Sequence, residues 1–222
     1  MIEKAKQLVT NLLKHEDSGH GMDHINRVYN LAMKFAETEN CNNVVTALGA
    51  LLHDVDDYKL FGYENAVNLT NTKNILSEIG ADTNTTNAVL DIISNMGYSK
   101  ALRGIRPSTI EGMIVSDADM CDVIGANGIL RTHIYSFKFN KDFFNKDLWP
   151  IENMSAEIYA NSEPSTSMCH IFEKCLRVRD IMMTNSGKAE AQKRHEFMFN
   201  FLQQYFEEEN APEWQEYLKK YI

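Results

Sequence analysis

Proline occurs only four times in the 222 residues, and runs of alternating β-branched residues are scarce. That argues against a fold built from short strands and turns. The four cysteines, Cys41, Cys121, Cys169 and Cys175, form no CxxC pair and are too few to staple a chain of this length. They read as reduced thiols of a cytoplasmic protein. Clusters of five or more Lys and Arg are missing, and 31 acidic residues against 22 basic ones leave a net charge of −9. A nucleic-acid polymer or an anionic membrane surface is therefore excluded as a natural partner. No apolar run is long enough to cross a bilayer, since the longest, Val44 to Leu52, is broken by Thr46 and Gly49. The opening residues, MIEKAKQLVTNLLKHED, lack the apolar segment and small-residue cleavage site of a signal peptide, so the expected location is cytoplasmic.

What is present is apolar residues, 44% of the chain, recurring at three- and four-residue spacing almost throughout. This amount supports a sizeable core, and the period predicts an all-α fold. Ile2–Lys14 forms an amphipathic helix, and a second, N-capped by Asp23, runs to about Glu39 with Ile25, Val28, Leu31, Ala32 and Phe35 inward. The third, Val44 to about Val55, is apolar on nearly every side, as a central helix must be. Further helices are expected over Glu64–Ile79, Thr85–Asn95, Ser108–Val123, Ala126–Phe137, Ser167–Thr184 and Ser186–Glu209, with a short tail from Glu213. A stretch at about 138–166 mixes aromatics with Asn, Ser and Pro without a period and reads as a long irregular loop within a single domain.

Chemistry-bearing residues gather in three short segments: GHGMDHINRV, with His20, Asp23, His24 and Arg27; ALLHDVDDYKLFG, with His53, Asp54, Asp56, Asp57 and Lys59; and SDADMCD, with Asp117, Asp119 and Asp122. An imidazole and an ionised carboxylate at the end of so apolar a helix as VVTALGALL carry a large desolvation cost unless positive charge offsets it. A divalent cation fits, because neutral imidazoles and carboxylates suit such ions and no cysteine pair lies near to favour a structural zinc. Three helices then contribute: His24, one turn into the second; His53 and Asp54, closing the third; and a carboxylate from the Ser108–Val123 helix. Asp117 and Asp119 stand about 200° apart around that helix, so only one of them faces the ion.

The order His24, then His53-Asp54, then a distant Asp within Ala-Asp-x-x-Asp resembles the H…HD…D signature of the HD-domain metal-dependent phosphohydrolase superfamily. GHGMDHINRVYNLAMKFA, ALGALLHDVDDYKLFG, EGMIVSDADMCDVIGANGILR and HIFEKCLRVRDIMMTNSGKAEAQKRHEFMFNFL are similar to its compact bacterial YedJ/YpgQ-like group. The resemblance implies an all-α HD bundle that holds one divalent ion (Mn²⁺, Mg²⁺, Fe²⁺, Co²⁺, Ni²⁺ or Zn²⁺, with Mn²⁺ favoured) and hydrolyses a phosphate ester or anhydride. It assigns the ion to His24, His53, Asp54 and Asp119, with Asp117 second in line for the last place. It also makes Asp57 the group that orients water or moves a proton. The dinuclear branch carries extra histidines between the HD pair and the last Asp; none occurs between Asp54 and Asp119 here, which implies a single ion.

Phosphate contacts are expected from His20, Arg27, Lys59 and Lys174. All but Lys59 have a plainer reading as well. His20 suits a solvated loop, Arg27 an i,i+4 ion pair with Asp23, and His170, Lys174 and Arg177 a solvated basic stripe on one helix face. Asp56 and Asp122 read as solvated or outer acids, and His133 and His195 as incidental. A nucleoside di- or triphosphate is the favoured substrate on the resemblance, since spacing specifies no base. The rivals are a sensor that binds metal and nucleotide without turnover, and a phosphodiesterase for a cyclic or alarmone nucleotide.

Overall fold

The computed structural model describes residues 1–14, 21–161 and 165–222. It is all-α, with no strand among the described residues. The chain divides into two compact units, Met1–Asp119 and Met120–Ile222. None of the helices described is long and apolar enough to cross a membrane.

The first unit contains α1 (Ile2–Leu12), α2 (Met22–Ala36), α3 (Asn43–Leu52), α4 (Tyr58–Phe61), α5 (Tyr63–Asn68), α6 (Thr70–Glu78), α7 (Thr83–Asn95) and α8 (Tyr98–Leu102), together with most of α9 (Ile110–Asp122), within which the boundary falls. Helix α3 is the axis. Every residue from Val45 to Leu52 is buried, and α1, α2 and α7 pack around it. Its Asn42 cap accepts the N–H groups of Val44 and Val45, which sets where the helix begins. Gly49 makes room for two neighbours, because a Cβ there would lie 3.2 Å from Val115 of α9 and 3.4 Å from Ile92 of α7.

Helix α3 ends at Leu52, short of the expected Val55, and two further boundaries in this unit differ from expectation. Helix α2 is capped by Gly21, so Asp23 stands in its first turn, where its charge still suits the positive end of the helix dipole. The helix expected over Glu64–Ile79 is broken at Leu69, which adopts φ 49°. The cause is Asp56. Its buried carboxylate accepts the backbone N–H groups of Asn71 and Thr72, the Thr72 hydroxyl and the Asn65 amide, so the amides at the start of α6 are satisfied by a side chain from another turn. Asp56 is therefore a structural acid. Asp56→Ala should lower unfolding stability by about 3 kcal/mol or more, since several charge-assisted hydrogen bonds go and their buried donors stay. Urea denaturation measures the loss, and a variant as stable as the parent would show that α6 starts without this cap.

In the second unit are α10 (Gly125–Lys138), α11 (Ala156–Asn161), α12 (Ser167–Glu173), a 3₁₀ segment (Cys175–Ile181), α13 (Asn185–Glu208), α14 (Pro212–Leu218) and a closing 3₁₀ turn (Lys219–Tyr221). Its core is aromatic: Phe172, Phe206 and Trp214 are buried together, and Trp149 stacks on Trp214 with centroids 4.4 Å apart. Within the stretch read as irregular, α11 is a short helix, and Phe143, Phe144 and Trp149 tie the preceding turns to Tyr205 and Trp214. The helix expected over Ser167–Thr184 stops at Glu173. Lys174 turns away at φ −125°, and the chain tightens into 3₁₀. Arg177 Nε donates to the Phe172 carbonyl and its Nη2 to the Tyr221 hydroxyl, so this guanidinium braces the break. The basic stripe of one straight helix is thus not formed. The four cysteines are free thiols, all but Cys41 buried.

Candidate metal centre

The site arises where three elements of the first unit end or pass. His24 is buried on α2, one turn past its start. His53 is the residue that closes α3, and its Nδ1 lies 2.9 Å from the carbonyl of Ala50. That carbonyl can only accept, so Nδ1 is the donor and Nε2 is the nitrogen left to face a ligand. Nε2 of His24 lies 3.0 Å from Nε2 of His53, with the rings edge-on at 70°. Two carboxylates close on this pair. Asp54 Oδ2 is 3.3 Å from His24 Nε2 and 3.6 Å from His53 Nε2, and Asp119 Oδ1 of α9 is 3.5 Å and 3.8 Å from the same atoms.

These separations fit one shared cation. Two ligands about 2.1 Å from an ion lie about 3 Å apart at right angles and about 3.4 Å apart at the tetrahedral angle. The donor set, imidazole nitrogen with carboxylate oxygen and no sulfur, is that of a divalent first-row ion or Mg²⁺. Among the described residues, His24, His53 and Asp119 each offer one ligand atom within 4.8 Å of the other two. Asp54 adds an oxygen to it, and both carboxylates keep some contact with solvent, at 16% and 15% exposure, while the imidazoles are sealed. The open side is the carboxylate side.

Comparison with known proteins decides the family. The HD domain model matches residues 21–124. An HD-superfamily hydrolase from Bacillus thuringiensis is 31% identical, with 95% of this chain and 97% of that one aligned at a TM-score of 0.73. The chain belongs to the HD superfamily. A Lactobacillus plantarum protein superposes on this HD protein with a TM-score of 0.82 at 32% identity, covering 95% of this chain and 97% of the other. Bacillus subtilis YpgQ, solved in complex with ADP, gives a TM-score of 0.69 at 28% identity over 92% of this chain and 97% of its own. HD domains bind divalent metal ions, and membership makes the chain a metal-dependent phosphohydrolase.

The other residues expected in the HD site occupy several different elements. Helix α3 ends at Leu52, so Asp57 is not one helical turn beyond Asp54; an i→i+3 turn, Asp57 N–H to Asp54 C=O at 3.1 Å, folds the chain back instead. Asp57 caps α4, with Oδ1 accepting the N–H of Lys59 at 2.8 Å. Lys59 is exposed, its Nζ 5.9 Å from the Tyr58 ring. Arg27 is half-buried, one turn after His24 on α2. His20 lies outside the described residues. Lys174 belongs to the second unit, where its Nζ lies 5.8 Å from the ring of Tyr159. Asp117 is buried; Asp56 and Asp122 are buried as well, Asp122 paired with Arg131, so of their two expected readings the solvated one does not hold. His195 is structural. Its Nε2 meets the Tyr221 carbonyl at 2.7 Å, and burial holds its pKa below the usual imidazole range. The Ala50 carbonyl that orients His53 carries no sequence signal, since any residue supplies one.

Proposed function

We propose that this HD phosphohydrolase acts on a nucleotide, with a nucleoside di- or triphosphate as substrate, in the cytoplasm and with Mn²⁺ as the favoured ion. The observation that carries the reading is the convergence of His24, His53, Asp54 and Asp119 with only the carboxylate side open to solvent. The ADP bound to YpgQ, a relative aligned over most of both chains, supports a nucleotide as ligand. When bound, the ion polarises a phosphoryl oxygen and lowers the pKa of a water. His53, held by the Ala50 carbonyl, offers a nitrogen in a fixed direction, and the carboxylates would offset the ion's charge. Arg27 and Lys59 are the proposed phosphate contacts of the first unit.

A nucleotide panel with added Mn²⁺ and product identification tests the proposal. Release of phosphate or pyrophosphate from di- or triphosphates supports it. Cleavage confined to cyclic or alarmone nucleotides would make the protein a phosphodiesterase, and tight binding without product would make it a sensor.

Asp57 is proposed as the proton-handling group. Asp57→Asn retains a good helix cap, so α4 should persist, but it removes the charge that accepts or steers a proton. Turnover should fall about a hundredfold or more with metal content unchanged. Loss of metal would make Asp57 a ligand, and normal turnover would remove it from the mechanism.

A further inference from the structure

Asp119 sits in the weakest part of its helix. The last carbonyls of an α-helix lack partners within the helix, and its C-terminal end carries partial negative charge. Helix α9 makes this worse, because Asp117, Asp119 and Asp122 crowd its last two turns and no basic residue lies in the last one. Left to itself, this turn would fray at the residue that faces the imidazoles.

Two arginines of the second unit, to which the closing residues Met120–Asp122 of α9 also belong, supply what the helix lacks. Arg194 of α13 donates from Nη1 to the Cys121 carbonyl at 2.6 Å, while its Nε bonds Glu190 Oε1 at 2.7 Å. Arg131 of α10 pairs with the Asp122 carboxylate, which is 2% exposed, and its Nη1 lies 3.4 Å from the Asp122 carbonyl. Successive carbonyls at the end of α9 thus each meet a guanidinium. The chain makes space for this: Gly125 holds φ 78°, and a Cβ there would press to 3.2 Å on the Arg194 stem. Arg194 is itself held in line by Glu190, one turn before it on α13.

We propose that Arg194 and Arg131 are positioning residues that hold the last turn of α9, and through it Asp119, in the geometry that binds the divalent ion. The inference rests on reading His24, His53, Asp54 and Asp119 as the metal centre. Neither arginine is assigned as a ligand. Their effect passes along the helix, from the Cys121 and Asp122 carbonyls to a carboxylate two and three residues earlier.

The test is Mn²⁺ affinity of the full chain, read from free Mn²⁺ by electron paramagnetic resonance, with thermal unfolding measured in parallel. Arg194→Gln and Arg131→Gln, each keeping a stem and an N–H donor but no charge, should raise the Mn²⁺ Kd about tenfold, the scale seen when partners behind a ligand are lost. Arg194→Lys, which keeps the charge, should recover part of that loss. Lys219→Ala, which removes an exposed pair with Glu216, should leave the Kd unchanged. A wild-type Kd in both glutamine variants, even with a lowered Tm, would reduce the arginines to a brace of the fold and overturn the proposal while leaving the metal centre intact. Mn²⁺ binding that survives His53→Ala would instead overturn the metal centre, and the proposal with it.

Discussion

His53→Ala and Asp54→Ala should each yield a folded protein that no longer retains a divalent ion, with phosphohydrolase turnover down by roughly three orders of magnitude or more. The scale follows from what the ion supplies, several kcal/mol of charge stabilisation, at about 1.36 kcal/mol for each factor of ten. The fold survives because the stability of α3 lies elsewhere: Leu48, Leu51 and Leu52 are fully buried, whereas His53 and Asp54 come after its last helical residue. In Asp54→Ala the remaining carboxylate, Asp119, loses a like-charged neighbour, which eases the metal-free state. His53→Ala removes the nitrogen that Ala50 orients and opens a small polar void. Elemental analysis after Mn²⁺ loading and dialysis, alongside circular dichroism, checks both claims. Full occupancy in either variant would remove that residue from the ligand set, and loss of helicity would show that the site is part of the core.

The residues that meet in this cluster are legible in the amino-acid order because they are local signals on strongly periodic helices. His24 stands one turn into an amphipathic run, and His53-Asp54 terminates a run so apolar that it has to be central. Both facts concern one helix at a time, and the spacing of apolar residues reports them well. The class of the fold is legible for the same reason.

What the spacing misses is decided between segments. The break at Leu69 is made by a carboxylate thirteen residues earlier, and nothing in the apolar period of Glu64–Ile79 marks it. Lys174 lies in a run whose three- and four-residue spacing continues through the break, yet Arg177 reaches back to the Phe172 carbonyl and the helix ends there. The spacing that puts His170, Lys174 and Arg177 on one face holds only while the helix is straight. Counting turns from Asp54 sets Asp57 one turn on, and the count fails because α3 stops at Leu52 and the chain reverses. In each instance a side-chain hydrogen bond or a tight turn outcompetes the continuation of a helix, and such bonds depend on partners that a one-dimensional pattern does not contain.

Asp119→Asn should cost metal binding and turnover, whereas Asp117→Asn should cost stability alone. The two carboxylates are two residues apart on α9, about 200° around its axis, so one location cannot serve both. Asp119 Oδ1 lies 3.5 Å from His24 Nε2 and 3.8 Å from His53 Nε2, while Asp117 is 1% exposed and engaged with other groups. Asparagine preserves the shape of either side chain and removes its charge. At 119 the change takes away a charged oxygen facing the ion, so the Mn²⁺ Kd should rise by more than the roughly 10–100-fold that follows loss of a partner behind a ligand. At 117 it weakens the bonds of a buried carboxylate, for about 1–3 kcal/mol of unfolding stability, and Mn²⁺ content should stay near that of the parent. Metal titration and urea denaturation on both variants separate the two roles. If Asp117→Asn loses metal and Asp119→Asn keeps it, α9 must turn in the working protein so that its other face meets the imidazoles, and the assignment of the last ligand passes to Asp117.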